Sequence, residues 1–293
     1  KAWKVKYFGI GNEAWGCGGN MSPEYYSDEY RKFNTYLRDQ GENRLYRIAS
    51  GASDYDYNWT KVMMQNAKDK MNGLSLHYYT VKGWNGSKGS ATVFTDAEYY
   101  NTLAKAMEVE EVIRNHFAIM DAYDPQKRVA LLLDEWGTWF DVEPGTIPGH
   151  LYQQNTMRDA MVAAMCLNVF NGMTDRLKMA NIAQIVNVLQ SMILTKGDKM
   201  LLTPTYHVFR MYNVHQNATF VPSDYSAGEI VSESGRIFKD LTVSSSKDGN
   251  GAVHVSIANP SLDKAKSLEI SFDALNAKNV TAEILKAASI NDY

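Results

Sequence analysis

Residues 128–137 read Arg-Val-Ala-Leu-Leu-Leu-Asp-Glu-Trp-Gly. A strand with one wet face alternates apolar and polar residues. The unbroken apolar run at 129–133 instead marks a strand buried on both faces. The abrupt change to Asp134-Glu135 marks its C-terminal end. The same pattern opens the chain: residues 3–10 read as a strand that stops at Gly11-Asn12-Glu13, followed by a glycine-rich loop to Asn20. Further strands are expected at 44–50, 74–79 and 176–184.

Helices fill the intervals. Ser22 is a good N-cap, Pro23 suits the first helical position, and Tyr26, Tyr30, Phe33 and Leu37 form one stripe that Gly41 stops. A helix is expected near 60–70. Thr95-Asp96-Ala97-Glu98 is a capping box for another, running to about Met120, and one more follows near 155–170. Five βα units of this kind, with strands apolar on both faces, predict α/β architecture around a parallel sheet. Beyond about residue 203 the texture changes. A helical connector at 205–214 leads into short alternating runs at 236–243, 252–258, 267–272 and 280–285, separated by Ser/Gly/Asn/Asp turns. These predict an antiparallel β-sandwich.

Composition narrows the function classes. The chain has 293 residues, 45% of them hydrophobic, which is ample for a buried core. Its 30 basic and 33 acidic residues nearly cancel, so it lacks the basic excess of a nucleic-acid binder. No apolar run is long enough for a bilayer-spanning helix, and no membrane partner is expected. Two cysteines, Cys17 and Cys166, cannot make a disulfide framework. Aromatic residues at 12% suit a protein that handles sugar rings.

The chemistry sits at the strand ends. In a βα barrel the C-terminal ends of the strands form the active-site face, so Glu13 and Glu135 would point into a common site. A lone glutamate after a strand is usually a surface charge. Two of them, flanked by Asn12, Trp15, Trp136 and Trp139, suit glycoside hydrolysis, which needs one protonated acid and one ionised carboxylate. A protonated Glu13 calls for a pKa raised by burial and a like-charged neighbour, and Glu135 for hydrogen bonds that favour its charge. His77 read alone is a satisfied buried histidine as readily as a functional one. Of Tyr78 and Tyr79, alternation assigns one to the core. Gly16–Gly19 lacks the Gly-Lys-Ser/Thr of a phosphate loop. Trp15, Trp84 and Trp136 are either sugar platforms or packing, Trp136 being the best placed to stack. Nothing beside Cys17 would lower its thiol pKa.

The string Gly-Ile-Gly-Asn-Glu-Ala-Trp-Gly-Cys-Gly-Gly at 9–19 resembles the acid/base region of the α-L-arabinofuranosidases of glycoside hydrolase family 51. Leu-Ser-Leu-His-Tyr-Tyr at 74–79, Leu-Asp-Glu-Trp-Gly-Thr-Trp at 133–139 and Asp-Arg-Leu-Lys-Met-Ala-Asn-Ile-Ala-Gln at 175–184 follow in the family's order. The resemblance implies a (β/α)8 TIM barrel, with its strands four to eight in this chain, followed by a β-sandwich. Residues 1–203 would be the C-terminal part of the catalytic barrel, and 204–293 the connector and an incomplete sandwich.

It also implies roles. Glu13 would be the general acid/base and Glu135 the nucleophile. Asn12 would bond the sugar 2-hydroxyl, Tyr79 would orient the nucleophile, and His77 would help set the protonation of the acid. Gln184 would touch the furanose and Trp139 would line the leaving-group side. The activity implied is a retaining, exo-acting release of arabinofuranosyl side groups from arabinan or arabinoxylan oligosaccharides, with no cofactor and no metal. Another retaining barrel glycosidase, such as an endoglucanase or β-xylosidase, is an alternative, as is a non-catalytic carbohydrate-binding subunit. The resemblance further implies a homo-oligomer, a hexamer in the family. No leader precedes Lys1, which fits a cytoplasmic enzyme. A (β/α)8 barrel takes about 250 residues, so the remaining strands are expected elsewhere, for instance on another chain.

Overall fold

The computed structural model describes residues 3–272 and 279–293. They form two compact units, each assembled from separated stretches of the chain: 1–80, 106–137 and 173–183 make the first, and 81–105, 138–172 and 184–293 the second.

The first unit holds a five-stranded sheet in sequence order: β1 (Tyr7–Ile10), β2 (Tyr46–Ser53), β3 (Gly73–Thr80), β4 (Ala130–Thr138) and β5 (Leu177–Ile182). β1 runs parallel to β2, β2 to β3, and β4 to β5. Sequential neighbours joined by helical crossovers are the arrangement of successive barrel strands. The chain therefore carries part of a (β/α)8 barrel, as expected.

β3 is buried at every position, because a strand covered on both faces has no wet side. β1 departs from the expectation. Only Ile10 is buried, while Tyr7 and Phe8 stay 49% and 40% exposed. The reason is its position: among the described residues β1 pairs with β2 alone, so it is an edge.

Helix α1 (Pro23–Asn34) starts as read, with Ser22 accepting from the Tyr25 amide at 3.2 Å. It stops earlier than its stripe suggested. Successive i→i−3 bonds at Thr35, Tyr36 and Leu37 unwind it, leaving Phe33 exposed. Tyr26 and Tyr30 carry the burial. The Tyr26 hydroxyl donates to the Ile10 carbonyl and accepts from the Ser50 amide at 2.6 Å, which ties the ends of β1 and β2 to the helix. Helix α2 (Tyr57–Ala67) buries Trp59, Met63 and Met64. Helix α3 (Asp96–Tyr123) begins in the second unit at the expected capping box, where the Thr95 amide donates to Glu98 Oε2 at 2.9 Å.

The second unit contains α4 (Met157–Asn171), a hairpin of β6 (Ile193–Lys196) and β7 (Lys199–Leu202), and α5 (Pro204–Tyr212). Then come β8 (Thr219–Val221), β9 (Glu229–Val231), β10 (Ile237–Lys239), β11 (Thr242–Lys247) and β12 (Val253–Ala258). β11 pairs antiparallel with both β12 and β8, and β10 with β9, giving the antiparallel sheets expected of the sandwich region. The hairpin had no clear alternation to announce it. The runs at 267–272 and 280–285 are not strands. Alternation fits a segment to a pleated surface, but a strand also needs a hydrogen-bonded neighbour. Without one, Ile270, Val280 and Ile284 remain exposed.

Candidate active site

Glu13 stands three residues beyond β1, at φ +45°, a left-handed conformation that costs a non-glycine residue about 1–3 kcal/mol and concentrates at functional sites. The following loop holds it there. The Gly16 and Gly18 amides both donate to the Glu13 carbonyl, at 2.8 and 3.0 Å. A Cβ on Gly18 would lie 1.7 Å from the Asn12 carbonyl oxygen, so the turn closes only around glycine. The loop is pinned to β2 by the Ala14 amide on Ser50 Oγ at 3.3 Å and by Trp15 Nε1 on the Gly51 carbonyl at 3.2 Å.

Glu135 is aimed by a different device. Leu133 pairs with Ala180 and Trp136 with Ile182, so Asp134 and Glu135 together face one residue of β5. This is a β-bulge, which re-aims side chains beside a site. Regular alternation would send Asp134 and Glu135 to opposite faces. Here both reach His77, whose Nε2 lies 3.2 Å from Asp134 Oδ1 and whose Nδ1 lies 3.6 Å from Glu135 Oε2. His77 Nδ1 is also 2.9 Å from Glu13 Oε1. The Tyr79 hydroxyl donates to Glu135 Oε2 at 2.7 Å, and the Cys17 thiol donates to Glu13 Oε2 at 3.2 Å.

The electrostatics centre on His77, whose side chain is only 4% exposed. Burial works against its charge, yet the bonds to Asp134 and Glu13 prevail and push its pKa up to about 9. The imidazole is therefore a cation at neutral pH, bonded through Nδ1 to Glu13 and in ion-pair range of Asp134. Glu13 responds in the opposite direction to the one expected. The His77 hydrogen bond lowers its pKa more than burial raises it, and the Cys17 bond adds to the lowering. A cation in contact outweighs a like-charged neighbour further off. Tyr79 is pushed well above the usual phenol range, by burial and by the anion it bonds.

The first unit thus brings together Glu13, His77, Tyr79 and Glu135, with Asn12 exposed beside Glu13. Trp139 and Gln184 belong to the second unit. There Trp139 meets Trp84 edge-on at 5.4 Å, and the Gln184 amide donates to the Leu189 carbonyl at 2.9 Å. Trp136 is 1% exposed, so it packs and offers no face to a sugar. Tyr78 and Tyr79 are both buried, so alternation does not separate them; what marks Tyr79 is its hydroxyl on Glu135. Sequence reasoning passed over Asp134 and gave no role to Cys17. The signal for the first was a second carboxylate directly before Glu135, which was read only as the end of the strand.

The family described as the α-L-arabinofuranosidase C-terminal domain matches residues 134–293. The chain belongs to the glycoside hydrolase family 51 α-L-arabinofuranosidases. Within that family it is 57% identical to an intracellular exo-α-L-arabinofuranosidase of Bacteroides ovatus, over 100% of this chain and 57% of that protein. The solved structure of the family 51 arabinofuranosidase of Xanthomonas axonopodis pv. citri superposes with a TM-score of 0.82 at 47% identity, covering 88% of this chain and 52% of that one. A family 51 enzyme of Bifidobacterium longum shares the fold, with a TM-score of 0.72 at 21% identity over 87% of this chain and 54% of that one. The chain spans little more than half the length of these relatives.

Proposed function

We propose that this chain carries the catalytic pair of a retaining, exo-acting α-L-arabinofuranosidase that releases arabinofuranosyl side groups from arabinan or arabinoxylan oligosaccharides. One observation carries the reading: Glu13, His77 and Glu135 each offer an atom within 4.8 Å of the others. Carboxyl groups about 5–5.5 Å apart suit a covalent glycosyl-enzyme, whereas inverting enzymes separate them by about 6.5–9.5 Å to admit a water.

In this mechanism Glu135 attacks the anomeric carbon, with the Tyr79 hydroxyl holding Oε2 in line. Glu13 protonates the leaving oxygen. Because its own pKa is lowered, the proton it delivers is the one shared with His77 across the 2.9 Å bond. As a sugar excludes water, the ion pair loses its solvent support and the proton moves to the carboxylate. In the second half Glu13, again ionised, takes a proton from the water that attacks the intermediate. Asn12 holds the sugar 2-hydroxyl; the roles of Gln184 toward the furanose and Trp139 toward the leaving group rest on the family resemblance alone.

The proposal extends to the assembly. β1 leaves Tyr7 and Phe8 uncovered and the relatives are longer, which supports a partner segment, on this or another polypeptide, that supplies the remaining barrel strands. The proposal includes a homo-oligomer, implied by the family resemblance alone, and a cytoplasmic setting, which the name of the Bacteroides relative supports.

Aryl α-L-arabinofuranoside should be cleaved with retention, and aryl β-xyloside and cellulose should be poor substrates. Glu135→Ala should lose essentially all activity, and azide should restore part of it with inverted product. Equal rates for Glu135→Ala and the parent would sink the mechanism, and an inverted anomer from the parent would remove the retaining assignment.

A further inference from the structure

Trp84 and Trp139 meet edge-on, with ring centroids 5.4 Å apart and planes at 83°. Both belong to the second unit. Trp84 is 53% exposed and Trp139 is half-buried. Two indoles at right angles form a corner, one ring the floor and the other the wall. Trp84 stands on a loop with glycines at 83, 86 and 89, which would swing freely unless something tied it down.

Asp141 is that tie. Its Oδ1 accepts from the Lys88 amide at 3.0 Å, and its Oδ2 accepts from the Gly89 amide at 3.2 Å and from the Ser87 hydroxyl. The Asp141 amide returns a bond to the Gly89 carbonyl at 2.9 Å. Hydrogen bonds to an ionised acceptor are the strong ones, and the Ser87 hydroxyl with the two amides holds the Asp141 carboxyl below the usual carboxylate range. The segment that carries Asp141 is itself braced. The Phe140 amide donates to Gln153 Oε1 at 2.8 Å, and the Glu143 amide to the Tyr152 carbonyl at 2.9 Å. Further along the loop, Arg158 lies between the Phe94 and Phe140 rings and donates to the Ser90 and Ala91 carbonyls at 3.0 and 3.1 Å.

We propose that Asp141 is a positioning residue for substrate choice: it fixes Trp84 against Trp139 as a preformed corner for a main-chain xylopyranose, the leaving group from which the arabinofuranosyl group is cut. This rests on the reading of Trp139 as a leaving-group contact. The choice of sugar follows from shape. A β-xylopyranose chair carries its hydroxyls equatorially, so its axial C–H bonds give two flat apolar faces that suit an indole. A puckered arabinofuranose, with substituents on both faces, offers no such surface. Arabinoxylan is thereby favoured over arabinan. Fixing the corner beforehand removes the ordering entropy that a mobile loop would lose on binding.

Kinetics on two substrates isolate the effect: arabinofuranosyl-substituted xylotriose, which fills the corner, and methyl α-L-arabinofuranoside, which has no ring to place there. Trp84→Ala and Asp141→Ala should each raise KM for the first roughly fivefold or more, with a smaller change in kcat and a much smaller change in either constant for the second. Asp141→Asn, which keeps one acceptor oxygen, should fall between. The double variant should lose no more than Trp84→Ala alone, because Asp141 acts through Trp84. Additive losses, equal effects on both substrates, or the same KM increase for arabinotriose would overturn the proposal. Two measurements need no turnover. Deuterium exchange should find the Lys88 and Gly89 amides protected in the parent and exposed in Asp141→Ala, and unsubstituted xylotriose should bind the parent more tightly than that variant. Unprotected amides or equal xylotriose binding would sink the latch. If both hold while the parent cleaves no arabinofuranoside, the corner stands and the proposed function falls.

Discussion

At the scale of single residues, the decisive fact is that the chain buries histidines with opposite preferences. His77 sits among carboxylates and keeps its proton to about pH 9. His116, buried between Thr60 and the Asp54 carbonyl, is lowered to about 4 by desolvation, and so is His215, whose neighbour His254 adds to the effect. A raised pKa stabilises the fold fully below the ordinary value of 6.5, and that contribution is lost as pH rises from there to about 9. A lowered histidine pKa works the other way: its contribution is present above 6.5 and is lost as pH falls towards 4. These three residues together predict greatest stability near pH 6.5, declining on both sides. Imidazole NMR titration checks the origin, with His77 still cationic at pH 8 and His116 already neutral at pH 6. A His77 that titrates near 6.5 would refute the ion-pair arrangement. The placement of Glu13 and Glu135 near two strand ends was legible in the sequence as a local pattern, although β4 runs on to Thr138 and carries Glu135 within it, and β1 is mostly exposed. The direction of the Glu13 shift was not, since it depends on a histidine 64 residues away.

At the scale of elements, two irregularities set the site: the bulge in β4 and the tight loop after β1. Neither follows from propensity. The bulge arises from how β4 registers against β5, which the sequence of β4 alone does not show. The loop is more legible, because its glycines mark a chain that must turn sharply, but which of them is indispensable emerges only from the fold. A methyl group at Gly18 would meet the Asn12 carbonyl, whereas at Gly16 its nearest neighbour is the Glu13 carbonyl oxygen at an ordinary 3.8 Å. Gly18→Ala should therefore cost about 1–3 kcal/mol in urea denaturation and lower kcat at least tenfold by displacing Glu13. Gly16→Ala should be much milder in both measurements. Comparable losses in the two variants would show that the loop is not held as described.

At the scale of the molecule, the order of the parallel strands was readable because each βα unit announces itself locally through caps, stripes and apolar runs. The partition into two units was not. Trp136 and Ala183 lie in the first unit while the nearby Trp139 and Gln184 lie in the second, so sequence proximity does not decide which body a residue joins. The first unit is also tied together away from the site. Arg176, fully buried before β5, pairs with Asp121 at 2.7 Å and Asp124 at 3.5 Å, and donates to the Val129 carbonyl at 2.8 Å. One side chain thus links the end of α3, the start of β4 and the start of β5. Arg176→Met would leave the Asp124 carboxylate buried with less compensation, and a loss of about 3–5 kcal/mol is expected by denaturant titration. A change under 1 kcal/mol would mean that solvent reaches Asp124 in the variant.

The two thiols of the molecule also differ in a useful way. Cys166 is buried, while Cys17 is exposed and touches Glu13. A maleimide dye at mildly alkaline pH should therefore attach at one position, within reach of the bond to be cleaved. The protein carries its own attachment point for an optical reporter, one that could register a sugar's arrival without any chromophore on the sugar.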